Sequence, residues 1–315
     1  MRILANDGID PAGKALLEAV GFVVETEHVP QELLAVQLNN FDAITVRSAT
    51  KVRQSLIDAC PNLKLIGRGG VGMDNIDVEY AKSKGVAVVN TPASSSLSVA
   101  ELVFAHLFTG IRFLQDSNRK MPSEGNTKFN DLKKAYAKGI ELRGKTIGIL
   151  GFGRIGREVA KVAIGLGMKV LAYDLHTFNA EIALELGDGQ LVKVSVKEAS
   201  KEEVIAQSDF ISLHTPFSEK PLLGTEEFAA MKKGAAVVNA SRGGTIDELA
   251  LLEALNSGKL AFAGLDVFDN EPTPRQEILN HPKISLTPHI GASTNEAQER
   301  IGVELANLII QHFKG

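Results

Sequence analysis

TIGILGFGRIGREVAKVAIGLGMKVLAYD, residues 146–174, decides how the rest of this chain is read. It opens on a short apolar run, Thr146 to Leu150, which predicts a buried parallel strand. Gly151, Gly153 and Gly156 follow with G-x-G-x-x-G spacing. A helix is predicted from Arg154 to about Leu166, and a second strand from Lys169 to Tyr173. Asp174 ends that strand, 18 residues after Gly156. Each part suits a dinucleotide. Gly151 permits the tight turn, Gly153 lets backbone approach a pyrophosphate, and Gly156 lets helix and strand pack closely. The helix N-terminus offers N–H groups and a positive dipole end to phosphates. Asp174 stands where an acid would accept from the adenosine ribose hydroxyls. A 2′-phosphate would meet its carboxylate, so the pattern favours NAD over NADP.

A second G-x-G-x-x-G lies upstream at Gly67, Gly69 and Gly72. The residue 18 positions beyond Gly72 is Asn90, not an acid. That stretch reads as a backbone turn lining a ligand cleft. The one at Gly151 reads as the cofactor site.

Working outward, the 315 residues suggest two domains. Hydrophobic residues at 44% and charged residues at 23% predict a packed core. The net charge of −4, with no basic block, argues against nucleic acid or an anionic membrane as partner. No run approaches the ~20 apolar residues of a membrane span. MRILANDG enters a strand directly, without a signal-peptide pattern, so a cytoplasmic protein is expected. Cys60 is the single cysteine and reads as a packed apolar residue. No cysteine or histidine cluster has zinc spacing, so no metal is expected.

Strands alternate with helices along the first ~90 residues, which predicts a parallel doubly wound sheet. The alternation resumes from 146 to 287. Ser98 and Glu101 form an S-x-x-E capping box before VAELVFAHLFTGIRFL, a helix predicted over 99–114. That helix is apolar nearly all round, so it should be buried on more than one side, between domains or in a dimer interface. His106 within it reads as a core or interface histidine. Residues 115–145 are polar and read as an irregular arm. Only a weak strand, 191–194, and a helix, 197–205, are predicted between residue 174 and the next strong strand at 209–213.

Ligands in such sheets bind beyond the carboxyl ends of the strands. Arg47, His214, Arg242 and His289 lie at or just after predicted strand ends, and Glu271 follows the strand ending near Asp266. One Arg, one Glu and one His suffice to oxidise an alcohol beside a carboxylate. The His takes the hydroxyl proton as hydride leaves the same carbon. The acid holds the imidazole in one tautomer. The Arg fork pairs with the substrate carboxylate. Structural roles compete at each position. Arg242 could be a loop arginine, Glu271 a turn residue before Pro272, and His289 a cap near the last helix. His281 reads as a plain loop histidine, and His28 and His176 as solvated.

Together the motifs resemble the D-isomer-specific 2-hydroxyacid dehydrogenases. They are RSAT at 47–50, GRGGVGMDNID at 67–77, TIGILGFGRIGREVA at 146–160, HTP at 214–216, VVNASRGGTIDE at 237–248, GLDVFDNEP at 264–272 and TPHIGAST at 287–294. The resemblance implies an α/β chain of two doubly wound parallel-sheet domains. A Rossmann NAD domain would cover 98–287. A smaller flavodoxin-like substrate domain would cover 1–97 plus 288–315, with the cleft between the two. Arg242, Glu271 and His289 would be the catalytic set. NAD would be held by Gly151, Gly153, Arg154, Ile155, Gly156, Asp174, His214, Thr215, Pro216, Ala240, Arg242, Asp266, His289 and Gly291. Substrate would meet Arg47, Ser48, Gly70 and Val71, besides Arg242 and His289. A homodimer through the cofactor domain is also implied.

Within the family, VRSAT, GVGMDNID and PHIGAST are most similar to the branch that oxidises D-3-phosphoglycerate, the first step towards serine. The implied form is the short one, ending without the regulatory domain of longer members and so without serine inhibition through it. The family often carries a Trp in the arm near 125–140, and this chain has none. Two other readings stand beside this one: the same chemistry on an unphosphorylated acid such as glycerate or lactate, and an NAD(H)-sensing binding protein of the same fold.

Overall fold

The computed structural model describes residues 1–176, 178 and 180–315. The chain divides into two compact units, Met1–Ser98 with Ala292–Gly315, and Val99–Gly291.

In the first unit, β1 (Arg2–Ala5), β2 (Val23–Glu25), β3 (Ala43–Val46), β4 (Leu65–Arg68) and β5 (Ala87–Asn90) form a parallel sheet in the order β2-β1-β3-β4-β5. The inner strands β1, β3 and β4 are buried on both faces, which explains why they read as continuous apolar runs. Leu17, Leu305 and Ile309 pack on one face, from the helices Pro11–Ala19 and Asn295–Lys314. Leu34, Leu56 and Ile57 fill the other. The strand order reverses between β1 and β3, which places a ligand crevice at their carboxyl ends.

The second unit is built on β6 (Thr146–Leu150), β7 (Lys169–Tyr173), β10 (Lys197–Glu198), β11 (Phe210–Leu213), β12 (Ala235–Asn239), β13 (Leu260–Leu265) and β14 (Ile284–Leu286). They form a parallel sheet in the order β10-β7-β6-β11-β12-β13-β14, reversing between β6 and β11. Val99, Val103, Phe104 and Leu107, from the helix Ser96–Ile111, belong to the apolar cluster that includes Ile147 and Val238. Leu213, Phe228 and Leu251 belong to a second cluster.

Three expectations need correction, and one expected strand gains a partner. The arm is helical, at Leu114–Glu124 and Phe129–Ala135. Its first helix buries no side chain and carries the i,i+4 pair Asp116–Lys120, so it has no apolar stripe to read. The weak strand forms where expected, as β9 (Leu191–Ser195), and pairs antiparallel with a strand not expected, β8 (Glu181–Glu185), the hairpin turning at Leu186–Gln190. The helix expected at 197 begins only after Ser200, whose hydroxyl and Glu203 form a reciprocal capping box. The helix expected to open at Val99 begins at Ser96, and the Ser98 hydroxyl bonds Thr294 instead of capping. Among the described residues, no single helix is long and apolar enough to cross a membrane.

Candidate active site

At the end of β6 the chain turns through Gly151, whose φ is +95°. A Cβ there would lie 2.5 Å from the His214 carbonyl oxygen, so only glycine fits. Gly153 precedes the helix Arg154–Gly165 and has nothing within 4 Å of its missing Cβ. Asp174 follows β7. Its carboxylate accepts from the Phe152 N–H at 2.7 Å and the His176 N–H at 3.1 Å. Two bonds leave acceptor capacity, since a carboxylate offers about four lone-pair sites.

His214 follows β11. Its Nε2 lies 2.8 Å from the Ser212 hydroxyl, while Nδ1 is buried without a partner among the described residues. Burial pushes the imidazole down to about 3. An unfolded chain protonates this ring near its ordinary 6.5, so the unfolded state binds more protons between those two values. The stability this group contributes is therefore complete above 6.5 and is lost as pH falls towards 3. His106, lowered by burial against an opposing pull from Asp266, acts in the same direction. The melting temperature should fall as pH drops below 6.5, and fall less steeply in His214→Asn. Parallel melting curves for the two proteins across that range would contradict this.

His289 adopts a left-handed backbone, φ +55°. A histidine there needs support, and one residue supplies it. The Asp266 carbonyl accepts from the His289 N–H, and its carboxylate from the Ile290 and Gly291 N–H groups, all at 2.8 Å. The turn after β14 is thereby stitched to the end of β13. His289 accordingly groups with the second unit, Val99–Gly291.

His289 Nδ1 lies 2.8 Å from Glu271 Oε2, and Glu271 Oε1 accepts from the Phe268 N–H at 3.0 Å. Burial pushes the Glu271 carboxyl up. The His289 hydrogen bond and charge, the Phe268 N–H and the Arg242 charge outweigh it, and the carboxyl is held below its usual range. It therefore stays ionised and orients the imidazole with Nε2 left for a substrate. Phe268, Pro272, Pro274, Leu279, Leu286 and Pro288 wall an apolar cavity of about 400 Å³ beside this pair.

Arg242 follows β12 and the buried Ala240. Its carbonyl accepts from Asn239 Nδ2 at 2.9 Å and from the Thr245 hydroxyl at 2.7 Å. Next to it, a Cβ on Gly243 would fall 1.9 Å from the Phe268 carbonyl oxygen. The arginine loop and the Glu271 loop thus touch backbone to backbone. The Gly244 N–H donates to Asp269 at 2.7 Å, and the Asp269 N–H to buried Glu248 at 3.0 Å. Arg275 reaches the other Glu248 oxygen at 3.3 Å. Sequence reasoning missed Asp269 and Glu248, although both stand inside the RGGTIDE and DVFDNEP motifs.

In the first unit, Arg47 follows β3. Its N–H donates to Asp7 at 2.6 Å and its carbonyl accepts from Asn75 at 2.7 Å. Among the described residues, its guanidinium makes no ion pair. Ser48 and Val71 are exposed. The Gly70 N–H donates to the Thr91 hydroxyl at 2.8 Å. The two loops after β4 and β5 satisfy each other there.

The profile of the D-isomer specific 2-hydroxyacid dehydrogenase NAD-binding domain matches residues 104–291. The chain belongs to the D-isomer-specific 2-hydroxyacid dehydrogenases. It is 42% identical to the hydroxypyruvate reductase of Thermotoga maritima, with 99% of this chain and 98% of that protein aligned. It is also 42% identical to the D-3-phosphoglycerate dehydrogenase of Rattus norvegicus over its whole length, which spans 57% of that relative. Among solved structures, a glyoxylate reductase from Paecilomyes thermophila superposes with a TM-score of 0.83 at 32% identity, covering 100% of this chain and 96% of that one.

NAD is the cofactor of this dehydrogenase family domain, and the residues present fit it. Open space lies over Gly153, a buried His214 Nδ1 without a partner among the described residues lies beside the glycine turn, and a carboxylate follows β7. His106 is a core histidine of the dehydrogenase, 2% exposed. His28 and His176 are exposed, and His281 bonds Asn256 and Lys283 in a loop.

Proposed function

We propose that this chain is an NAD-dependent dehydrogenase of D-3-phosphoglycerate, feeding serine synthesis. The observation that carries the chemistry is the His289–Glu271 pair at 2.8 Å, on a turn held by Asp266. Bound to the β6–β11 end of its sheet, NAD supplies the hydride acceptor. The chain's own residues do the rest. His289 takes the hydroxyl proton on Nε2, Glu271 holds the imidazole, and Arg242 pairs with the substrate carboxylate. Gly151, Gly153, Arg154, Ile155 and Gly156 cradle the pyrophosphate, and Asp174 takes the ribose hydroxyls. His214, Thr215, Pro216, Ala240, Asp266 and Gly291 shape the floor of the nicotinamide site. Arg47, Ser48 and Val71 read the substrate's far end.

The phosphorylated substrate is supported by the Arg47 guanidinium, which has no ion pair in its own unit among the described residues. The relative from Thermotoga maritima supports a second reading, hydroxypyruvate and its unphosphorylated product glycerate. A panel of 2-keto acids with NADH oxidation as readout separates the two. Phosphohydroxypyruvate should lead; a leading hydroxypyruvate would overturn the first reading. No turnover of any 2-keto acid would favour an NAD(H)-sensing binding protein. Phe108, Leu114, Met121 and Phe129 are exposed apolar residues of the cofactor unit and support a homodimer through it.

NADP should be a poor cofactor because its 2′-phosphate meets the Asp174 carboxylate. Asp174→Ser should narrow the NAD preference by at least about tenfold, the scale of one charged hydrogen bond. Equal kcat/KM for NAD and NADP in the wild type would remove Asp174 from the ribose.

A further inference from the structure

His106 is a buried titratable side chain that the proposed chemistry does not use. It sits on the helix Ser96–Ile111 with Nδ1 2.8 Å from the Ser285 hydroxyl and Nε2 3.1 Å from the Thr287 hydroxyl. We propose that His106 is a positioning residue. It orders the Thr287 hydroxyl towards Asp266 and, through Asp266, sets the turn that presents His289. The inference rests on the reading of His289 as the acid–base group.

The direction of each hydrogen bond follows from counting protons. The Thr287 hydroxyl has one, and it donates that to Asp266 Oδ1 at 2.6 Å. Its oxygen can then only accept from His106, so Nε2 carries the hydrogen. Burial lowers the His106 pKa and keeps the ring neutral. Nδ1 is therefore bare and accepts from Ser285. One tautomer satisfies every partner.

Asp266 is 1% exposed, and a carboxylate that deep needs its oxygens filled. Thr287 fills one position, and the Ile290 and Gly291 N–H groups fill two more. Those N–H groups belong to the residues just after His289, which itself holds an unfavourable φ of +55°. Without the His106 donor, the Thr287 hydroxyl is free to rotate away from Asp266. The carboxylate then loses a ligand, and the turn loses part of what holds the imidazole in place.

The two ring nitrogens can be removed separately. In His106→Gln the amide nitrogen reaches the place of Nε2 and still donates to Thr287. His106→Asn reaches only the Ser285 side, and His106→Leu has neither group. The Gln variant should keep kcat within about threefold. Asn and Leu should lose roughly tenfold or more, with NADH affinity unchanged. Thr287→Ser should behave as wild type and Thr287→Val should match His106→Leu, which keeps the test decisive if the Leu variant does not fold. Wild-type kcat in the Asn or Val variant, or equal losses in Gln and Leu, would overturn the proposal. If His289→Gln keeps full turnover, the acid–base reading fails first. If His289→Gln is inactive while the Asn and Val variants work normally, only the positioning role fails.

Discussion

His289→Gln is expected to bind NADH as the wild type does and to lose roughly 10²–10⁴ in kcat, the range for a positioned acid–base group. Gln keeps the size and a polar tip, so the turn stitched by Asp266 should survive. It cannot hold a proton at the place of Nε2. The separation of binding from turnover follows from where His289 sits. It stands at the end of β14, while Gly151, Gly153 and Asp174 stand at the ends of β6 and β7. Glu271→Gln should lose less, because the imidazole remains and only its orientation and charge partner change. NADH fluorescence titration and steady-state turnover on the same samples make the measurement. Near-wild-type kcat in His289→Gln would remove the histidine from the chemistry.

The alternation of strands and helices was legible because each central strand is buried on both faces and must be apolar along its length. Ile147, Ile149 and Leu150 in β6, and Ile211 and Leu213 in β11, are fully buried. Turn glycines punctuate such runs. The rule that ligands gather at strand ends then pointed to Arg242, Glu271 and His289 without any knowledge of their distances. What sequence did not show depends on contacts far apart in the chain. Asp266 holds residues 289–291 across more than twenty positions. Thr91 takes the Gly70 N–H across a similar gap. Asp269 and Glu248 are ordinary acids in sequence and become a link between two loops only once β12 and β13 lie side by side. The arm's helices and the first strand of the hairpin escaped the sequence for a different reason. Their helices and strands bury few side chains, so no apolar period marks them: in the hairpin strands only Ile182 is buried.

Arg47→Ala should weaken 3-phosphoglycerate in kcat/KM by roughly 10- to 200-fold, through one lost charge-assisted hydrogen bond of about 1.5–3 kcal/mol. A phosphate carries close to two negative charges near neutrality and needs donors beyond those that hold the carboxylate. In the proposed roles Arg242 is committed to that carboxylate. Among the residues proposed for substrate, the first unit holds few donors. The Gly70 N–H is spent on Thr91, and the Arg68 Nη1 group donates to the Gly69 carbonyl. Arg47 differs. Its backbone is clamped at both ends, by Asp7 and by Asn75, while its guanidinium makes no ion pair among the described residues. Clamped backbone and unspent charge are what a phosphate-reading arginine requires, with the exposed Ser48 hydroxyl beside it. Glycerate has nothing for this side chain to hold and should lose much less. A purely structural Arg47 makes the opposite forecast: the melting temperature falls and both acids suffer alike. The measurement is kcat/KM for both acids in wild type and Arg47→Ala, with melting temperature alongside. Equal losses would reject phosphate reading and move the substrate assignment to an unphosphorylated hydroxy acid.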